Sequence, residues 1–290
     1  MAKTNLFIGG FAKSGTTVLY HYFTAHKDVY CNPYIKEPRY FSSGHFKSSN
    51  GNKHFFKNIK YNETDYLKLF KNSGDEKYIV DGSVYYSYFK GIAPKIREFN
   101  EKARIILCIR NPITRFNSHY MMYIRDNACK GSVTDFISNP ETYFGISLLK
   151  AGLYSEAIKE YFDVFGRDNV YIAVFDDLQS DHEKYYSDIC EFLGISDVKS
   201  KNERINISGR PRNRLVMMII RCIKRLMPGF ITAKMKFDFK TKINNYLYND
   251  STLKKENLPE DAKAHLVDYY KEDIIKTGKL INRDLSHWIY

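Results

Sequence analysis

Short, densely apolar runs alternate along this chain with longer stretches of helical period. The runs at 6–9, 78–80, 104–109 and 170–175 are bounded by turn formers and rich in Ile, Val, Leu and Phe, the pattern of strands buried on both faces. Between and after them, residues 16–25, 94–100, 112–125, 153–165 and 182–193 repeat apolar positions every three to four residues, which predicts helices. Pro94 and Pro112 stand where proline starts a helix well. Strand-then-helix alternation predicts a doubly wound α/β fold, a parallel sheet with helices on both faces.

Two stretches break the rhythm. Residues 44–62 are polar and aromatic without period and predict a loop or lid over one end of the sheet, the place for substrate contacts. The run "LVMMIIRCIKRLMPGF" after Arg214 predicts a basic amphipathic helix ended by Pro228-Gly229, in a helical C-terminal region spanning 212–290. One apolar face is what any packed helix needs, so packing is favoured, with peripheral membrane contact through 214–230 as the alternative. Internal repeats are absent, and 290 residues are read as a single domain, 1–290.

Composition narrows the class. With 43% hydrophobic residues and no run of eighteen, the chain is expected to be soluble, and its N-terminus enters a strand too early for a secretory signal. A cytoplasmic location is expected. The five cysteines include no Cys-x-x-Cys pair, which argues against a disulfide framework or a zinc site. A formal charge of +12 implies an anionic partner: nucleic acid, a membrane surface, an anionic cofactor or an acidic glycan.

The chemistry starts at Gly10-Phe11-Ala12-Lys13-Ser14-Gly15-Thr16-Thr17, a glycine-rich turn between the first strand and the first helix. Glycines there let backbone N–H groups converge on phosphate oxygens at a helix N-terminus, making the predicted fold P-loop-like. A triphosphate P-loop, however, places a lysine after its second glycine, where this chain has Thr16; its loop lysine is Lys13. Without that clamp on the terminal phosphates, the donor should carry a transferable group of lower charge, such as sulfuryl.

These residues resemble the sulfotransferases that use 3′-phosphoadenosine 5′-phosphosulfate (PAPS), especially the glycan-modifying branch, whose 5′-phosphosulfate loop reads Lys-x-Gly-Thr. The resemblance extends to "RNPITRFNS", where the arginine and serine of the family bind the 3′-phosphate, implying those roles for Arg110 and Ser118. It extends to "KEPRYF", similar to the Lys-Glu-x-x-aromatic-Phe stretch whose glutamate is the base, implying Glu37. Glu37 as an ordinary salt-bridge partner of Lys36 or Arg39 is the other reading. "AGLYSEAIKEYF" looks like the family's Gly-x-Tyr helix, and "NISGRPRNRLV" like its late loop over the 3′-phosphate. Tyr154, Arg210 and Arg212 join the cofactor residues by that likeness.

The resemblance implies sulfuryl transfer from PAPS to a hydroxyl of a carbohydrate or a glycosylated small molecule, with 3′-phosphoadenosine 5′-phosphate (PAP) as product and no metal. Lys13, Ser14, Gly15, Thr16 and Thr17 would hold the 5′-phosphosulfate, and Lys13 would also neutralise the departing bridging oxygen. One departure weakens the glycan branch: Gly82 stands where heparan-type enzymes carry a lysine. Two other classes stay open. A P-loop kinase would use Asp81 of "YIVDG" for magnesium, and a non-catalytic basic protein would bind nucleic acid or polysaccharide through 210–225. No specific nucleic-acid partner is expected.

Overall fold

The computed structural model describes residues 3–46, 59–125, 131–139, 142–198 and 258–289. Its centre is a five-stranded parallel sheet of β1 (Leu6–Gly10), β2 (Val29–Cys31), β3 (Tyr78–Asp81), β4 (Arg104–Ile109) and β5 (Val170–Val174), in the order β2-β3-β1-β4-β5. The helices are α1 (Thr16–Thr24), α2 (Glu63–Leu67), α3 (Ile92–Phe99), α4 (Pro112–Arg125), α5 (Val133–Ser138), α6 (Tyr143–Leu148), α7 (Ser155–Phe165), α8 (Phe175–Ser180), α9 (His182–Leu193) and α10 (Glu260–Ile281).

Strand side chains alternate between two cores, as a pleat of period two requires. Leu6, Ile8, Ile106 and Cys108 enter one, with Leu19 and Phe23 of α1 and Ile189 and Leu193 of α9. Phe7, Ile105, Leu107 and Ile109 enter the other, with Ile96 of α3, Phe116 of α4, Ile158 of α7 and Tyr270 of α10. Helices thus cover both faces, as the sequence predicts. The topology turns at β1, which pairs with β3 on one side and β4 on the other. Parallel sheets of this kind bind ligands outside the carboxyl ends of the strands at such a switch point.

Four strands lie where the apolar runs put them. β2 is additional, and its three residues are too few to show a pattern. Phe175 ends the fourth predicted run but begins α8. α3 begins at Ile92 behind a left-handed Gly91, so Pro94 is its third residue, still within the first turn where an N–H has no intrahelical partner. Of the predicted lid, 47–58 lie outside the described residues, as do 214–230.

Candidate active site

β1 approaches β4 so closely at its end that a Cβ on Gly10 would lie 2.3 Å from Cys108 N and O, at a φ of 103°. The following loop is held by Phe11 N donating to Cys108 O at 3.0 Å and Ala12 N donating to the Tyr88 hydroxyl at 3.0 Å. Lys13 (φ 74°) and Gly15 (φ 94°) are both left-handed, which turns the loop sharply into α1. No side chain caps α1, and Ser14 Oγ is buried without a hydrogen-bond partner. Uncapped N–H groups, an orphaned hydroxyl and a glycine that leaves the backbone open are what a bound phosphate would satisfy. Thr16 and Thr17 open the helix at this point.

The second candidate anion group sits on the neighbouring strand. Arg110 follows β4 directly, and Asn111 accepts from Ile113 N at 3.0 Å and Thr114 N at 3.2 Å. Arg-Asn-Pro is therefore a strand end, an N-cap and an N1 proline in succession. The Arg110 guanidinium donates to Lys13 O at 3.2 Å and to Thr114 Oγ1 at 3.0 Å, and lies 4.5 Å over the Phe175 ring. Burial draws its pKa below the ordinary arginine value. Ser118 is half-buried two turns into α4. Tyr154 is fully buried, its ring 4.5 Å from Phe11 and its hydroxyl donating to Arg110 O at 2.6 Å, so it braces both the glycine-rich loop and the end of β4. Arg210 and Arg212 lie outside the described residues.

Glu37 is on the loop after β2. That loop is shaped by Asn32 Oδ1, which accepts from Tyr34 N at 2.9 Å and Ile35 N at 2.8 Å. It is pinned to the end of β3 by Gly82 N donating to Lys36 O at 3.0 Å and Arg39 N donating to Ser83 Oγ at 2.9 Å. Lys36 Nζ lies 3.3 Å from one Glu37 oxygen and Arg39 Nη2 3.0 Å from the other. Burial raises the Glu37 pKa, but the two cations and their hydrogen bonds outweigh it and hold the carboxyl below its usual range. Lys36 Nζ also donates to Thr16 Oγ1 at 3.0 Å, which ties the candidate base to the first residue of α1. The salt-bridge reading of Glu37 and its place beside the phosphate loop therefore hold together. Lys36 is the residue whose place the sequence reading missed; its adjacency to Glu37 was the signal.

Asp81 does not fit a magnesium ligand. It is fully buried, one carboxylate oxygen accepting from Tyr66 at 2.9 Å and Tyr86 at 2.8 Å and the other from Ser83 N at 3.0 Å. Burial raises its pKa to about 6 against the pull of these bonds. Among the described residues, no group of three or more His, Cys, Asp and Glu side chains is placed to hold a metal ion. His119 is buried, and burial together with Arg115 and Lys13 keeps its pKa well below the usual value. None of the described helices is long and apolar enough to cross a membrane.

The model of the sulfotransferase domain matches residues 3–208. No curated protein matches the sequence. Among solved structures, a sulfotransferase from Alicyclobacillus acidocaldarius is similar over 100% of both chains, with 25% identity and a TM-score of 0.75. The sulfotransferase domain from the curacin biosynthetic pathway aligns over 98% of this chain and 99% of its own, with 13% identity and a TM-score of 0.52. A mouse sulfotransferase complexed with PAP aligns over 93% and 84%, with 13% identity and a TM-score of 0.51. The last two share the fold. With a strand–loop–helix turn suited to an anion, an arginine at the neighbouring strand end and a family match over more than half its length, the chain belongs to the sulfotransferase-domain family.

Proposed function

We propose that this protein transfers a sulfuryl group from PAPS to a hydroxyl of a carbohydrate or a glycosylated small molecule. The observation that carries the reading is that Glu37 reaches the N-terminus of α1 through one ammonium group, Lys36 Nζ, bonded to Thr16 Oγ1 at 3.0 Å. That link supports Glu37 as the base for the acceptor hydroxyl, beside the loop suited to the 5′-phosphate. A mouse sulfotransferase of the same fold is complexed with PAP, and the anion-binding features here suit that nucleotide.

In this reading, the α1 N-terminus with Ser14, Gly15, Thr16 and Thr17 holds the 5′-phosphate, and Arg110 with Ser118 holds the 3′-phosphate, with Arg210 and Arg212 as further ligands by the resemblance. PAPS supplies the sulfuryl group. Lys13 offsets charge on the bridging oxygen as it departs, and Glu37 takes the acceptor proton. Tyr154 acts by bracing Arg110 rather than by touching the nucleotide. The similarity of "KEPRYF" to glycan sulfotransferases supports a sugar acceptor, and Tyr34, 61% exposed and close to Glu37 in sequence, offers a ring for a sugar face.

Calorimetry with PAP, without magnesium and with ATP as competitor, tests the donor assignment. Wild type should bind PAP in preference to ATP, and Arg110→Ala should weaken binding about 10- to 100-fold through loss of charge-assisted bonds. A preference for ATP would remove the proposal. Sulfate transfer to a panel of sugars and simple alcohols then tests the acceptor class.

A further inference from the structure

Lys36 is placed to do more than neutralise Glu37. Its ammonium lies 3.0 Å from Thr16 Oγ1 and 3.3 Å from Glu37 Oε1, and so stands between the phosphate loop and the base. The stem is guided there by a bare backbone: a Cβ on Gly82 would lie 2.9 Å from Lys36 Cγ and 3.2 Å from its Cε. The other Glu37 oxygen keeps both Arg39 Nε at 3.3 Å and Nη2 at 3.0 Å, so the carboxylate stays oriented if Lys36 turns away. Arg39 is itself held over the Tyr85 ring at 4.5 Å. Thr16 accepts from Lys36, which leaves its own hydroxyl proton to donate to a phosphate oxygen.

We propose that Lys36 is a second catalytic cation of the donor site, passing from Glu37 to an oxygen of the transferring sulfuryl group when PAPS binds and leaving Glu37 held by Arg39 alone. The inference rests on the sulfuryl-transfer reading. In the step it serves, the acceptor oxygen forms a bond to sulfur as the bond from sulfur to the bridging oxygen breaks. The acceptor proton goes to Glu37, and the bridging oxygen leaves on PAP. Lys36 then answers the charge on the sulfuryl oxygens while Lys13 answers that on the leaving oxygen, a division suited to a P-loop without the usual lysine.

The test is steady-state transfer from PAPS, with PAP affinity by calorimetry, for wild type, Lys36→Gln, Lys36→Met and Lys36→Arg. Gln keeps a donor for Thr16 and Glu37 but removes the charge, so the comparison survives if Met fails to fold. Gln should lower kcat about 10²- to 10³-fold, the scale of one lost transition-state donor, with PAP affinity changed less than about fivefold. Arg should restore at least about tenfold of that loss. A Gln variant with kcat within about threefold of wild type overturns the inference. So does a parallel fall of PAP affinity and kcat in Gln and Arg alike, which marks a structural lysine. A wild type that neither binds PAP nor turns over PAPS overturns the functional reading itself, a separate outcome.

Discussion

Asp273 lies on α10, far along the chain from the glycine-rich loop, yet it holds the backbone of Tyr154, which supports that loop and Arg110. Its carboxylate accepts from Tyr154 N at 2.6 Å, Ser155 N at 3.2 Å, Ser155 Oγ at 2.5 Å and Thr277 Oγ1 at 3.3 Å. α7 has no side-chain cap from its own N-cap residue, Tyr154, so Asp273 supplies both the cap and the negative charge that a helix N-terminus favours. Asp273→Ala leaves buried backbone donors unpaired at about 1–3 kcal/mol each, less whatever the Ser155 hydroxyl recovers by rotation. A loss of about 3 kcal/mol is expected, which for a chain of this size is roughly 5 °C in Tm. Asp273→Asn keeps one carbonyl acceptor and should lose about half as much. Because Tyr154 links this cap to Arg110 O, PAP affinity should fall roughly three- to tenfold in the Ala variant. Thermal melts and calorimetry on the three proteins decide it. An Ala variant melting within about 2 °C of wild type would refute the cap.

Asp81 gives a pH dependence of known sign. Its pKa rises from 3.8 to about 6 on folding, so its contribution is fully present below the unfolded value and is lost as pH rises through about 6. About two units correspond to about 3 kcal/mol; urea unfolding between pH 3.5 and 7.5 should show wild type losing most of that stability relative to Asp81→Asn, and parallel profiles would contradict it. Tyr154→Phe removes only the 2.6 Å bond to Arg110 O, and calorimetry should find PAP binding about three- to tenfold weaker with little change in Tm. Gly82→Ala would press on Lys36 and on the Tyr20 ring, whose Cδ2 lies 3.0 Å from the added Cβ, and should cut kcat roughly 10- to 100-fold in a folded protein. Gly10→Ala, with Cys108 backbone 2.3 Å from the new Cβ, should fail to give soluble folded protein on expression.

The sheet was legible because β1, β3 and β4 are buried on both faces, and β5, half-buried at Tyr171 and Ile172, is still an unbroken apolar run. The turns at the two candidate anion sites were legible for a similar reason: a left-handed glycine before α1 and an Asn-Pro after β4 are local devices that leave a local signature. What the sequence hid is what the fold assembles across distance. Nothing around Asp81 announces that Tyr66 and Tyr86 take one of its oxygens, so an aspartate after a strand reads as a metal ligand until both hydroxyls are placed. Tyr154 could be grouped with the cofactor residues by likeness, but only packing shows its hydroxyl spent on Arg110 O. Asp273 carries no motif at all, since a cap supplied by another helix has no fixed spacing.

The same distinction explains the charge at the site. A triphosphate loop concentrates its cation in one residue after the second glycine, and that residue reaches the far phosphates of its nucleotide. Here the position is Thr16, and positive charge reaches the α1 N-terminus from separate elements: Lys13 from the loop, Arg110 from β4 through Lys13 O, and Lys36 from the β2 loop through Thr16. Cations spread in this way surround a compact group close to the helix instead of reaching along a polyphosphate. Lys36 and Arg39 also bracket the carboxylate that would receive a proton, so the charge gripping the donor and the charge tuning the base are coupled through one lysine. Such an arrangement suits the proposed transfer of a single small group held at the helix end, with Glu37, the proposed base, released only as that group arrives.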